Sequence, residues 1–388
     1  MVQEICVSFF SWTSLGVLYI MNNVPVFRKP MVIGFAVLVA VFILIYLSTC
    51  SNPPKDPLFY VFAEFSFTCI ISLISALEYD GFVSGYMEFY QQWGEPYLSA
   101  SYSIMMCHWE GIVHYFVYLS LIHCMSSRKP YRSLGIFWAG SLLANMVVFL
   151  PGIVVGKHAS EIHPAYWINL PFLLLPVWGA IRLLQKPREI LVVSVSKAER
   201  EQRKSLIWRP VDLLFVIYLL GAMVFTIFRG LVTIQRCITL LDTYTLCRFT
   251  YLSAVGFPKV MMLLLLFHAL PMLGAFVYGL MTPGCTWMLD WTVFTAGAIV
   301  QSQWCHVGAS LHPHTSKASH FPDSGLVPAL LLNLLYATGP LLLSLRCTFK
   351  LAMPITEEGL IWVKFLFPVY ACVTPASFKH ANGTSGCQ

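Results

Sequence analysis

Runs of about twenty apolar residues recur along this 388-residue chain, and no other feature limits its fold so tightly. A run of that length crosses the hydrocarbon of a bilayer as a helix, because each backbone N–H and C=O then finds its partner within the same segment. The other spanning solution, a closed barrel, uses strands of about ten residues with alternating polarity, which these runs do not show. Composition agrees: 57% of residues are hydrophobic, 11% are charged and the mean hydropathy is +0.71, values a water-facing surface does not carry. The net charge of +6 sits beside apolar runs, where it sets orientation and does not point to nucleic acid.

The expectation is an all-α polytopic membrane protein with about ten spans, near 5–21, 31–49, 58–77, 104–125, 133–155, 165–184, 211–231, 260–281, 291–310 and 326–347. The first lacks a basic n-region and a small-residue cleavage site, so it reads as a retained span and not a removed signal peptide. A further stretch, 359–373, is short and broken by Lys364 and Pro368, and reads as an interfacial helix. The connection 185–209 carries Lys186, Arg188, Lys197, Arg200, Arg203, Lys204 and Arg209 and is expected in the cytosol. Arg128, Lys129 and Arg132 then share that side, and the acidic connection from Glu78 to Ser103, without Lys or Arg, faces the lumen. The loop with Arg236, Arg248 and Lys259 runs against this scheme. Most cysteines fall inside spans as small apolar residues, whereas Cys237 and Cys247 fall in a lumenal loop where a disulfide can form. The Asn382-Gly-Thr384 sequon falls in a cytosolic tail and is expected to stay unmodified.

Two segments repeat. One reads Asn169-Leu-Pro-Phe172, then Pro176 and Arg182; the other reads Asn333-Leu-Leu-Tyr336, then Pro340 and Arg346, at identical spacing. Each half opens with an acid beside a proline, Asp56-Pro57 and Pro210 with Asp212. Acid and closing Asn lie 113 residues apart in the first half and 121 in the second. The chain therefore divides into an N-terminal helix pair (1–50), a four-helix unit (56–184), a basic linker (185–209), a second four-helix unit (210–347) and a tail (348–388). Four spans restore the side of entry, so the two units run parallel.

Ionisable residues within spans are the natural site candidates, because charge near the bilayer centre is costly and turns to a cavity or a partner. Glu64 and Glu78 share a helix face within about 40° but lie about 21 Å apart along it. Glu110 and His114, at i and i+4, share a face with Cys107 one turn earlier, and can share a proton. Bland readings stand beside these. Glu78 can open a solvated loop, and Glu110 and His114 can simply satisfy each other in a packed bundle. Arg182, Arg229 and Arg346 sit near span ends, within snorkelling reach of headgroups. His268 and His306 read as core histidines, and Trp109, Trp138, Trp178 and Trp304 as packing or interfacial belt. No phosphate loop, dinucleotide fingerprint, His-Cys metal spacing or nucleophile elbow occurs, and no metal or cofactor is implied.

The stretches Pro54-Lys-Asp-Pro-Leu-Phe-Tyr60, Gly94-Glu-Pro-Tyr-Leu98, Cys107-His-Trp-Glu-Gly111 with His114-Tyr115, Pro151-Gly152 with Gly156-Lys157, and His306-Val-Gly-Ala-Ser-Leu-His312 closely resemble the transmembrane 6 superfamily, over about residues 54–347. That resemblance implies two EXPERA domains, the four-helix unit of emopamil-binding protein, a sterol isomerase. Met87-Glu-Phe-Tyr90 and Glu201-Gln-Arg-Lys204 look more like the branch linked to hepatic triglyceride secretion and lipid droplets than the lysosomal one; Pro53-Pro54 leans the other way. The implied function is regulation of neutral-lipid metabolism in the membranes of the endoplasmic reticulum and the ER–Golgi intermediate compartment, with the lysosomal membrane as the alternative. The implied partners are a sterol or other neutral lipid, and proteins of lipoprotein assembly. By motif the isomerase acids correspond to Glu78 and Glu110, and Glu64, Trp109 and His114 complete the expected ligand site. The isomerase histidine one turn before the first acid is Ile74 here, and the second unit shows Leu264 or its neighbours where an acid is expected. A lipid-binding regulator is therefore expected before an isomerase using Glu110 and Glu78.

Overall fold

The computed structural model describes residues 2–25, 39–40, 43, 56–156, 159–186, 205–235, 256–282, 285–315 and 325–349. Outside them fall most of the expected second span, most of the linker, the loop with Cys237 and Cys247, the stretch 359–373 and the Asn382 sequon. Every regular element among the described residues is helical. In chain order α1 is Val2–Trp12, α2 Ser14–Asn23, α3 Leu58–Tyr79, α4 Glu88–Trp93, α5 Ser101–Trp109, α6 Tyr115–Ser126, α7 Arg132–Val154, α8 Leu170–Gln185, α9 Pro210–Gln235, α10 Phe257–Leu264, α11 Leu270–Met281, α12 Met288–Leu311 and α13 Leu326–Phe349.

Seven described helical stretches are long and apolar enough to cross a membrane: Ile5–Asn23, Leu58–Tyr79, Arg132–Val154, Pro164–Gln185, Pro210–Thr233, Phe257–Met281 and Leu326–Thr348. The continuous rod 101–126 and α12 have the length but a lower apolar content. The reason is position. α12 buries sixteen of its residues, among them Gln301, Ser302, Gln303 and His306, and 101–126 buries His114 completely, so their polar groups meet protein and not lipid. Polarity concentrates at the centre of the bundle and apolar surface faces outward.

The centre is a crossing of α7 and α12. Phe137-Trp-Ala-Gly140 and Phe294-Thr-Ala-Gly297 share one pattern, Phe-x-Ala-Gly, and the two glycines meet reciprocally. A Cβ on Gly140 would lie 2.0 Å from the Phe294 carbonyl oxygen, and one on Gly297 would lie 2.3 Å from that of Phe137. Backbones approach this closely only where side chains are absent, the small-residue logic of membrane helix packing. At the rim of the same crossing, Arg132 grips Asp290 through Nη1 and Nη2.

Each half closes on itself at that end. Asp56 accepts from Tyr131 and from Lys186 Nζ, at 2.5 Å from the latter, and lies 3.5 Å from Arg182. Asp212 holds Arg346 at 2.7 Å and Arg209 at 3.3 Å. Arg182 and Arg346 thus turn to the acid that opens their own half, not to headgroups as their sequence position suggested. Burial works against the Asp56 charge, but the Lys186 and Tyr131 hydrogen bonds outweigh it and hold the carboxyl below its usual range. The second helix of each half carries a π turn, Glu110–His114 between α5 and α6 and Leu265–Ala269 between α10 and α11. Asn169 closes a 3-10 turn ahead of α8, whereas Asn333 lies within α13, so the matched asparagines differ in local backbone. The N-terminal span docks on the first half through Ser11 to Ser66 at 2.9 Å and Ser8 to Tyr115 at 3.0 Å.

At the opposite end Asp80 bridges the halves, with one carboxylate oxygen 2.7 Å from His108 Nε2 and the other 2.8 Å from His312 Nε2. Burial opposes its charge, yet the two histidine hydrogen bonds prevail and lower the carboxyl's pKa. A depressed carboxylate stabilises the fold above its unfolded pKa, and that contribution is lost as pH falls through the folded value. The thermal midpoint of the parent chain should therefore exceed that of Asp80→Asn at neutral pH, with the gap closing below about pH 4. A gap unchanged across that window would show that the bridge contributes nothing through charge.

Candidate functional site

A cavity of about 320 Å³ lies in the first half, walled by α2, α3, α5, α7 and the start of α8. That volume falls at the lower end of pockets that enclose drug-sized ligands. Its lining is mostly Val, Leu, Ile, Met and Phe, including Leu18, Met21, Phe67, Met146, Phe149 and Phe172, and three glutamates break the apolar wall: Glu64, Glu95 and Glu110.

Glu110 reaches the cavity from the π turn. Within that turn Glu110 reaches Ser72 of α3 and Asn145 of α7, while His114 meets α7 at a different residue, Ser141. Gly111 makes the turn possible at this packing distance, since a Cβ there would lie 2.5 Å from Leu73 Cβ and 2.8 Å from its Cα. Glu110 accepts from Ser72 Oγ at 3.1 Å and from Asn145 Nδ2 at 2.8 Å, and Gln301 Nε2 of α12 donates to Asn145 Oδ1 at 2.8 Å. The cavity carboxyl is thereby tied to the second half through two side-chain amides.

Glu95 was not among the sequence candidates. It lies in the connection ahead of the 3-10 turn Pro96–Ser99, is buried, and accepts from Tyr97 at 2.7 Å and from Asn169 Nδ2 at 2.5 Å. Burial pushes its carboxyl above the usual range, against the lowering effect of the Tyr97, Asn169 and Tyr90 hydrogen bonds. Glu64 completes the set, with its Oε2 buried and without a hydrogen-bond partner. Among the described residues no lysine, arginine or histidine forms an ion pair with any of the three.

The other sequence candidates lie outside the lining. Glu78 Oε2 accepts the backbone N–H groups of Met87 at 2.9 Å and Tyr86 at 3.2 Å, so this acid fastens the loop that follows its helix. His114 Nε2 meets Ser141 Oγ at 2.8 Å, and Trp109 Nε1 donates to the same hydroxyl at 2.9 Å; both rings serve the packing of α7. Glu110 and His114 therefore bond to different partners, and the acids that face the cavity with Glu110 are Glu64 and Glu95, not Glu78. The signal that pointed to Glu95 was the acid in Gly94-Glu-Pro-Tyr-Leu98, in a connection without a basic residue.

A family model described as transmembrane 6 superfamily member 2-like, transmembrane domain, matches residues 13–194. Transmembrane 6 superfamily member 2 of Homo sapiens is 39% identical over 341 residues, covering 87% of this chain and 90% of its own length. The proteins of that name from Mus musculus and Rattus norvegicus are 38% and 39% identical, over 88% and 87% of this chain and 91% and 90% of theirs. No solved structure matches the chain.

Proposed function

The chain belongs to the family of transmembrane 6 superfamily member 2-like membrane proteins, and from that premise we propose that it regulates neutral-lipid metabolism by holding a sterol-like lipid in the cavity of its first half. Its place is the membrane of the endoplasmic reticulum and the ER–Golgi intermediate compartment, and its output is triglyceride secretion and lipid-droplet content. The observation that carries this reading is the cavity itself, a largely apolar chamber inside a membrane bundle with Glu64, Glu95 and Glu110 on its wall. A sterol has a rigid apolar body and one hydroxyl, so a few convergent acceptors in an apolar wall suffice to orient it. Two tandem four-helix units form the frame, a division supported by the acid–arginine closure of each half, the paired π turns and the shared Phe-x-Ala-Gly crossing.

A sterol double-bond isomerase is the second reading, and the presence of more than one acid in one cavity favours it. Isomerisation adds a proton at one carbon and removes one from another, so it needs a donor and an acceptor on the same ligand. Glu95, with its carboxyl raised by burial, suits a donor, and Glu110 faces the same cavity as a further acid. Against it, no histidine lines the cavity among the described residues.

Photolabelling the full chain in nanodiscs with a diazirine sterol tests the site. Label is expected on peptides from residues 58–79, 88–126 and 164–185, displaced by unlabelled sterol. Labelling confined to the second half, or not displaced, would overturn the assignment, and a double-bond isomer appearing in the recovered sterol would establish the enzyme.

A further inference from the structure

Arg229 lies on α9 and is only 2% exposed, so it does not snorkel. Its Nη1 donates to Gln303 Oε1 of α12 at 3.3 Å, and its guanidinium lies 5.2 Å from the Phe225 ring and 5.9 Å from that of Tyr336 on α13. Nε and Nη2 have no hydrogen-bond partner. Among the described residues no carboxylate pairs with this arginine. The unmet edge is the one whose two parallel N–H bonds match a carboxylate or a phosphate.

The place matters as much as the charge. Setting Phe137-Trp-Ala-Gly140 on Phe294-Thr-Ala-Gly297 puts Gln303 at the position of Met146 and His306 at that of Phe149. Setting Asn169-Leu-Pro-Phe172 on Asn333-Leu-Leu-Tyr336 puts Tyr336 at the position of Phe172. Met146, Phe149, Asn169 and Phe172 all line the first cavity. Arg229 therefore points between α12 and α13, at the place in the second half that corresponds to the lipid chamber of the first. There the charge is inverted: three acids without a base in one half, and a base without an acid in the other.

We infer that the second half binds an acidic lipid, with the oxygens of its carboxylate or phosphate on Nε and Nη2 of Arg229 and its acyl chain along the apolar faces of α9 and α13. A buried cation in a membrane helix is retained where it meets a partner, and an oxyanion supplies the one that Nε and Nη2 of Arg229 lack. The inference uses the two-unit reading only for the correspondence of positions and does not depend on sterol occupancy of the first cavity.

The test places the full chain in zwitterionic phosphatidylcholine nanodiscs with three diazirine probes: a long-chain fatty acid, its methyl ester and a phosphatidic acid. At least one acid should label peptides from residues 210–235 and 326–349 about tenfold or more above the ester, the difference that loss of charge-assisted hydrogen bonds produces. Which acid does so identifies a carboxylate or a phosphate as the ligand. Arg229→Gln should reduce acid labelling to the ester level, and Arg229→Lys should keep part of it. Ester labelling equal to both acids, or acid labelling confined to the first half, would overturn the inference. The acid-to-ester ratio is read on the parent chain, so it decides the matter even if Arg229→Gln fails to fold, and sterol labelling of first-half peptides reports the other cavity separately.

Discussion

Gly140→Ala and Gly297→Ala should each unfold the purified chain at markedly lower temperature, although alanine is the better helix former. In an exposed helix interior, exchanging glycine for alanine gains about 0.5–1 kcal/mol. Here the new Cβ would sit 2.0 Å from the Phe294 carbonyl oxygen, or 2.3 Å from that of Phe137. The obstacle is backbone in both cases, and no side chain can rotate to make room. Overpacking costs about 1–3 kcal/mol even where side chains can adjust, so the clash outweighs propensity. Because each glycine faces the other helix's backbone, the two substitutions should be non-additive: once α7 and α12 have separated, the second finds the space already open. Gly221 on α9 is the control, since nothing lies within 4 Å of a Cβ there, and Gly221→Ala should hold or raise the midpoint. Thermal midpoints of the three variants by fluorescence-detected size exclusion decide it, and equal midpoints would show that the crossing has slack.

The helical membrane class was legible because hydrophobic runs report directly on solvent, and that solvent is lipid. Less of the interior was legible. Asp56, Arg182, Asp212 and Arg346 stood out in the sequence at matched positions, but nothing in their spacing said that acid and arginine would meet in space. The Phe-x-Ala-Gly pair is as plain in the sequence, yet its meaning depends on which helices touch. Glu78 and Glu95 show where local reading stops. Both stand at the ends of segments with no basic neighbour, and only the course of the loop decides that Glu78 spends its oxygen on the Met87 and Tyr86 amides while Glu95 is folded under Asn169. Likewise the i, i+4 spacing of Glu110 and His114 assumed a regular helix, and the π turn breaks that assumption. Arg229 was read from its distance to a span end, whereas its side chain turns inward.

The sharpest functional contrast is expected between Glu110→Gln and Glu110→Leu. Glutamine keeps the volume of the acid and can accept from Asn145 Nδ2 through its carbonyl, while its NH₂ donates to Ser72, whose hydroxyl serves equally as acceptor. Leucine leaves both partners without their acceptor beside an apolar chamber, at about 1–3 kcal/mol for each buried group left unmet. Photolabelling by a diazirine sterol should therefore survive in Glu110→Gln and fall about tenfold or more in Glu110→Leu. Conversion separates the two readings of the cavity. A binder shows no double-bond isomer with any variant, whereas an isomerase with Glu110 as acceptor loses turnover in Glu110→Gln at unchanged labelling, because the amide cannot take up a proton. Glu95→Gln extends the argument to the second acid. Its amide still accepts from Tyr97 and Asn169, so labelling should persist, and loss of turnover there alone would place the proton chemistry on Glu95 and not on Glu110. Equal labelling of the parent and Glu110→Leu would mean that the ligand is held by the apolar walls alone, with Glu110 serving only to tie α3, α7 and α12 together.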